Sequence, residues 1–496
     1  MRDASSVQRV APHFPWGPAL LALAFLLLTL PLRYGGIGEA DAARLANDAI
    51  LWRATGTFPV KSYLPWTSPA YLLALRGLLE AGLAPSSLPF AMNLAAPFFG
   101  ASAVLLGAML LRRLLPWPAW GWAGTAFALM PGIFDESLYG MPHMPALVLI
   151  LVSLLCADVW ALKPGGSPRL LAGCALALAG AMAFKADVAL AALAFPGLLL
   201  HRDERRTRAW AAMGAATLLG AALALGAPRL LAPRPETGLT FAGKALSGDW
   251  RPSLAKLRQP HNRDIPRAFG IGVSLAAGVG ALVAFRRRGD RRLAVFLAAW
   301  ALPSILFWSS AHNNSARHVF VAFVPGCAFA GLAIGALPRR WRAATAFAAL
   351  LVNTFALPPQ GSSTAPSGRL FAYRAHRAEA IGRVHAATRE SADTSGGDLR
   401  VVLGTWSLPY AMFETLAAAD SISIERDTPD PTVVPVIVTR RGGLAARTRF
   451  AYVSSPNEAL AQVRSEEAHG HPFRAVSIEF AAPGIEVPGG GPLDAP

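Results

Sequence analysis

The chain has 496 residues, of which 53% are hydrophobic and 15% charged, and its formal net charge is +16. Average soluble domains carry roughly 25% charged residues, and a mean hydropathy of +0.39 excludes that class in favour of an integral membrane protein. The basic residues argue against a nucleic-acid partner: they sit in short clusters, Arg112-Arg113, Arg202 to Arg208, Arg286 to Arg292 and Arg339 to Arg342, each at the end of an apolar run, as the positive-inside rule expects.

Taken in chain order, apolar runs of roughly 20 residues predict an α-helical multi-span membrane protein with about 11 transmembrane helices. They lie near 16–32, 88–111, 117–134, 142–161, 168–184, 187–200, 209–228, 268–285, 292–309, 318–337 and 341–358. The first run lacks a small-x-small cleavage site and many spans follow, so it reads as a retained span and not as a signal peptide. Lys185 and Asp187 mark the turn between the fifth and sixth runs. Residues 66–83 carry Arg76 and Glu80 and read as an interfacial helix. Cys156, Cys174 and Cys327 all lie inside apolar runs without metal spacing and read as buried structural thiols.

With Met1 on the cytoplasmic side, the count of spans places every Arg cluster inside. The loops 33–87, 135–141, 229–267 and 310–317, and everything after 358, then fall outside the cytoplasmic (inner) membrane. Residues 1–358 form the membrane module, with 33–87 as its outer loop. A Pro/Gly/Ser linker at 359–368 (PQGSSTAPSG) leads to an extracytoplasmic α/β domain at 369–482, and 483–496 is a disordered tail. In that domain a helix is expected over 371–390, a strand over 399–405 and a helix over 409–419. Strands follow at 433–439, 449–453 and 476–481, with a helix at 457–468 between the last two. There is no internal repeat.

The spans hold almost no ionisable residue near a midpoint, where a transporter or pump usually needs one. The polar chemistry gathers at one membrane face instead. Glu39 and Asp41 follow the first span in GEADAARLANDAILW, behind the Gly-rich approach Gly35-Gly36-Ile37-Gly38. Asp41 suits a helix N-cap and equally a general base facing an acceptor hydroxyl; Arg44, at i+3, is its expected structural partner. In FDESLYGMPHMPAL (134–147), Asp135 and Glu136 read as ordinary solvated turn acids or as substrate or metal ligands. His143, flanked by Pro142 and Pro145, can donate to phosphate or bind a metal. In SSAHNNSARHVFVAFVP (309–325), His312, Arg317 and His318 precede a late span. Arg317 is either a headgroup anchor or a bidentate phosphate ligand. The loop 229–267 adds Arg229, Arg234, Lys244, Arg251, Lys256, Arg258, His261, Arg263 and Arg267, which suit an anionic lipid substrate or anionic headgroups.

Together these motifs resemble the GT-C superfamily of integral-membrane glycosyltransferases. The first span with its acidic outer loop matches the superfamily's plan. SPAYLLAL resembles the PP-x-x-Y juxtamembrane helix of its aminoarabinose- and mannosyl-transferase-like branch, and ARHVFVAFVP is similar to its RY-x-x-x-x-P signature. The resemblance covers essentially the whole membrane region. It implies Asp41 or Glu39 as the catalytic carboxylate and Arg317 as ligand of a lipid phosphate, with His318 in place of the usual Tyr. Lys61 stands in for the Lys that TSPAY lacks, and the family often has an acid where His143 stands. The implied reaction is inverting transfer of a sugar from a polyprenyl-phosphate donor to a cell-envelope acceptor. No cofactor is fixed, a divalent cation (Mg or Mn) being the candidate. The expected partners are the lipid donor and membrane lipids, and the oligomeric state is open. The alternatives are a transporter of lipid-linked glycans and a non-catalytic assembly protein.

Overall fold

The computed structural model describes residues 16–33, 37, 40–56, 58, 68–162, 167–202, 207–231, 253, 264–310, 316–355, 399–404, 408–424, 433–440, 443–452, 461 and 473–477. The chain divides into two compact units, one of residues 1–33, 94–230 and 238–369, the other of 34–93, 231–237 and 370–496.

The first unit is helical. It comprises α1 (Gly17–Thr29), most of α4 (Leu88–Leu114), α5 (Ala119–Ala128), α6 (Pro131–Glu136), α7 (His143–Leu162), α8 (Pro168–Phe184), α9 (Ala194–His201) and α10 (Thr207–Leu231). It continues with α11 (Asp264–Phe269), α12 (Ile271–Arg286), α13 (Arg291–Ser310), α14 (Phe323–Ala336) and α15 (Arg339–Phe355). Four helical stretches among the described residues are long and apolar enough to cross a membrane: Pro85–Leu114, His143–Leu162, Arg291–Ser310 and His318–Ala336. Shorter apolar helices occur at Gly17–Leu32, Pro168–Phe184, Ala186–His201 and Ile271–Arg286. These helices expose Leu20, Leu23, Leu27, Leu275, Leu282 and Leu306, and α10 and α15 expose Leu218 and Phe347. Such apolar faces suit lipid contact, and helices satisfy their own backbone there.

Several predicted spans are interrupted for local reasons. The run 117–134 breaks after Ala128, because Pro131 cannot continue the backbone ladder and Met130 adopts an extended conformation before it. The run 268–285 breaks at Gly270, whose φ of 84° favours glycine. The runs at 187–200 and 318–337 open as 3-10 segments, Ala186–Leu193 and Ala316–Ala322, before becoming α-helical.

Close helix crossings rest on glycines. A Cβ at Gly280 would collide with the Phe329 carbonyl of α14, and one at Gly272 with the backbone at Ala349 of α15, whereas one at Gly278 would meet nothing within 4 Å. Small residues let helix backbones approach where lipid supplies no hydrophobic drive between helices. Gly280→Leu is therefore expected to lower the thermal midpoint of the detergent-solubilised protein sharply, and Gly278→Leu to leave it near wild type.

The second unit contains α2 (Ala40–Thr55), α3 (Pro69–Glu80), a helix α16 (Leu408–Ala417) and five strands, β1 (Leu399–Gly404), β2 (Ser421–Ile424), β3 (Val433–Arg440), β4 (Gly443–Tyr452) and β5 (Phe473–Ser477). The sheet order is β2-β3-β4-β1-β5, antiparallel across β2-β3-β4 and parallel where β1 pairs β4 and β5. The helix expected within 66–83 is α3. It buries Tyr71, Leu72, Leu75 and Leu79 and leaves Leu73 and Leu78 exposed, the spacing of an amphipathic helix. Arg76 pairs with Glu80 at 2.6 Å and lies over the Trp52 ring of α2. The helix α16 packs on α2, where Asn47 donates to the Pro409 carbonyl at 2.8 Å. The helices expected at 371–390 and 457–468, the linker at 359–368 and the tail at 483–496 lie wholly or almost wholly outside the described residues.

Candidate active site

In the first unit, three separated stretches bring their polar groups to one end of the helices. Glu136 closes α6, and His143 opens α7. Between them the chain turns with Ser137 and Leu138 bonded back to Phe134 and Asp135. This tight return places the Glu136 Oε2 2.8 Å from His143 Nδ1, while the Tyr139 hydroxyl donates to Glu136 Oε1 at 3.0 Å. Asp135, Glu136, Tyr139 and His143 are all buried. The reading of Asp135 and Glu136 as solvated turn acids is thus corrected: α6 is too short to carry them clear of the bundle, and a buried carboxylate is held by its donors.

The second contribution comes from the start of the late span. His318 stacks on Trp308 of α13 with ring centroids 4.1 Å apart, and His143 meets it edge-on at 5.8 Å. Phe320 also packs on His143, with ring centroids 5.2 Å apart. The third comes from the start of the 3-10 segment Ala186–Leu193 that follows α8. There Asp187, 2% exposed, sits with its Oδ2 3.7 Å from His318 Nδ1. That distance is ion-pair reach and too long for a hydrogen bond. Lys185, also buried, lies two residues before it and acts on the Asp187 carboxylate by its charge.

The sequence reading missed Asp187, Lys185, Tyr139 and Trp308 as members of this cluster. Its signal was present in Lys185 and Asp187, two charges interrupting an apolar stretch at the turn between two runs. The count of spans puts that turn on the same side as His143 and His318.

The opposite end of the same helices is built differently. Asp158, wholly buried on α7, pairs with Arg113 Nε at 2.5 Å and with Arg202 Nη2 at 2.6 Å. It lies about 15 residues beyond His143, which is about 22 Å along a helix axis. The two polar clusters therefore occupy opposite ends of α7.

In the second unit, Asp41 falls in the first turn of α2. It is buried, and its Oδ1 accepts a hydrogen bond from Arg44 Nη1 at 3.2 Å, the partner its spacing predicts. A carboxylate in a first helical turn also suits the positive helix end. Glu39, Lys61 and His312 lie outside the described residues. Arg317 belongs by its backbone to the segment Ala316–Ala322, but its side chain lies outside them. Among the described residues, no three His, Cys, Asp or Glu side chains gather as a metal-binding set.

No protein-family model and no curated protein matches the chain. Solved structures do. An archaeal oligosaccharyltransferase, AglB from Archaeoglobus fulgidus, in complex with an inhibitory peptide and a dolichol-phosphate, aligns with a TM-score of 0.51 at 12% identity. The alignment covers 81% of this chain and 63% of AglB, so the chain spans less than two thirds of that protein's length. ArnT from Cupriavidus metallidurans bound to undecaprenyl phosphate aligns over 81% of this chain and 74% of its own, at 16% identity and a TM-score of 0.49. The S. cerevisiae protein O-mannosyltransferase Pmt1-Pmt2 complex bound to the sugar donor aligns over 50% of this chain and 36% of its own, at 16% identity and a TM-score of 0.32. With AglB as its structural counterpart, and with the motif order described above, this helical membrane protein has the GT-C fold.

Proposed function

We propose that the protein transfers a sugar from a polyprenyl-phosphate donor to a cell-envelope acceptor at the outer face of the cytoplasmic membrane, with inversion at the anomeric carbon. The observation that carries this reading is the collection of Glu136, Tyr139, His143, Asp187 and His318 at one end of a GT-C-fold bundle. A lipid phosphate held at a membrane surface needs such an end, set apart from the Arg113-Asp158-Arg202 end.

A polyprenyl-phosphate sugar leaves behind a stable phosphate, so no general acid is required, unlike the two-carboxylate arrangement of glycoside hydrolysis. One base suffices to take the acceptor's proton. Asp41 fills that role, with Glu39 supporting it or binding acceptor. Arg317, His318 and Lys61 stabilise the charge that grows on the departing phosphate. Arg317→Ala is expected to raise the apparent donor KM about tenfold or more, as loss of a charge-assisted contact does, with a smaller change in kcat. An unchanged KM would remove Arg317 from the phosphate site.

The experiment for the reading as a whole is mass spectrometry of envelope glycans and lipids from a deletion strain. One component should lose a single sugar residue and regain it on complementation. An unchanged envelope profile, with the gene expressed in the parent strain, would overturn the reading.

A further inference from the structure

Asp187 has no part in the motifs that point to a glycosyltransferase, yet it faces His318, which does. An imidazole on a flexible Cα-Cβ-Cγ linkage can rotate and present either nitrogen. Here two contacts remove that freedom. Trp308 lies almost parallel to the His318 ring, at 15° and 4.1 Å, and fixes its plane. Asp187, from a different helix connection, lies opposite Nδ1 and fixes which edge faces which way. A carboxylate beside Nδ1 favours a proton on that nitrogen and favours the doubly protonated ring, whose Nε2–H, on the edge away from Asp187, then donates to an anion. Burying an aspartate at the mouth of a span is costly. The charge of Lys185 and the facing His318 imidazole offset that cost.

We infer that Asp187 is a positioning residue of the donor-phosphate site: with Trp308 it locks the His318 imidazole, which then receives the phosphate of a polyprenyl phosphate, and Lys185 balances the Asp187 charge. The inference rests on the proposed function, because the ligand class is the one assigned there. Asp187 touches no substrate atom and acts only through His318.

The test uses the purified full-length protein in neutral-lipid nanodiscs, with undecaprenyl phosphate as probe and undecaprenol, the same chain without its phosphate, as the uncharged control. Wild type should bind the phosphate and not the alcohol. Asp187→Asn, which keeps shape and removes charge, should weaken phosphate binding about tenfold, the size of one charge-assisted contact. His318→Ala should weaken it at least as much. In the His318→Ala background, Asp187→Asn should cause no further loss, because its effect passes through the imidazole. A purely structural role predicts additive losses and a fall in thermal midpoint instead, and additivity would overturn the inference. Should Asp187→Asn fail to fold, Asp187→Glu keeps the charge and should retain most of the affinity; loss equal to that of His318→Ala would equally overturn it. Wild-type binding with an unaffected Asp187→Asn sinks this inference alone. Absence of any wild-type binding to undecaprenyl phosphate sinks the proposed function with it.

Discussion

Asp41→Asn is expected to lower sugar transfer by about a thousandfold, within the range that loss of a positioned general base produces, while the protein still folds. The substitution is close to isosteric, and the asparagine carbonyl can still accept from Arg44, which Asp41 engages at 3.2 Å in the native protein. The helix α2 continues for three more turns beyond that point, with Ala43, Leu45, Ala46, Ala49 and Ile50 buried. Its packing does not depend on one carboxylate in the first turn. What the amide cannot do is take a proton. Measured as initial rates over a range of donor concentrations, kcat should collapse while the apparent donor KM stays within about twofold, because the lost interaction belongs to the transition state. Retained activity would move the base to Glu39. Equal loss of kcat and of thermal stability would show that Asp41 serves α2 and not the reaction. Arg44→Gln separates the two roles further. It removes the ion pair, leaves the carboxylate in place, and should cost only a fraction of what Asp41→Asn costs.

Much of the membrane unit was legible because apolar runs, Arg clusters and Pro or Gly breaks are local signals. The run predicted at 168–184 coincides with α8, and the helix expected within 66–83 coincides with the amphipathic α3. What failed was continuity. Pro131 and Gly270 cut runs that hydropathy alone reads as unbroken. The strand β2 and the first half of β4 were missed as well. Ser421–Ile424 and Gly443–Arg447 carry little apolar alternation, and they become strands through pairing with β3 on its two sides. In the candidate site, the motifs led to His143, Glu136 and His318. The Glu136-His143 bond follows from a tight return within one loop, which spacing alone did not reveal. Asp187 was out of reach for a different reason: it lies 131 positions before His318, and only the packing of α8, α13 and the 3-10 turns brings them together. Of the candidates on the loops 33–87 and 310–317, the residues at 39, 61 and 312 lie outside the described structure.

Asp158→Ala is expected to be the most damaging substitution to folding among the residues that take no part in transfer. Asp158 is wholly buried near the end of α7 and joins three helices' ends: Arg113 from the last turn of α4, and Arg202 immediately after α9. Arg202 also donates to the Arg113 carbonyl at 3.3 Å, so the two guanidinium groups are held against each other by the anion between them. Remove the carboxylate and two like charges remain in contact with a buried surface. Breaking a buried pair by deleting one partner costs about 3–5 kcal/mol. The Arg113 and Arg202 side chains are 34% and 16% exposed, which lets solvent and headgroups take up part of the charge, so a loss of about 3 kcal/mol, the lower end, is the expected value. Asp158→Asn should cost nearly as much, because shape is kept but the compensating charge is not. Thermal unfolding in detergent and yield of monodisperse protein measure both. A triple variant, Asp158→Leu with Arg113→Met and Arg202→Met, replaces the ion set by apolar packing and should recover most of the loss, as buried ion pairs elsewhere do when exchanged whole. If Asp158→Ala is as stable as wild type, the cluster is a surface feature with no structural weight. If the triple variant recovers stability but inserts in the wrong orientation, the arginines act chiefly through the positive-inside rule, and the aspartate is there to keep two topology signals together inside a packed helix end.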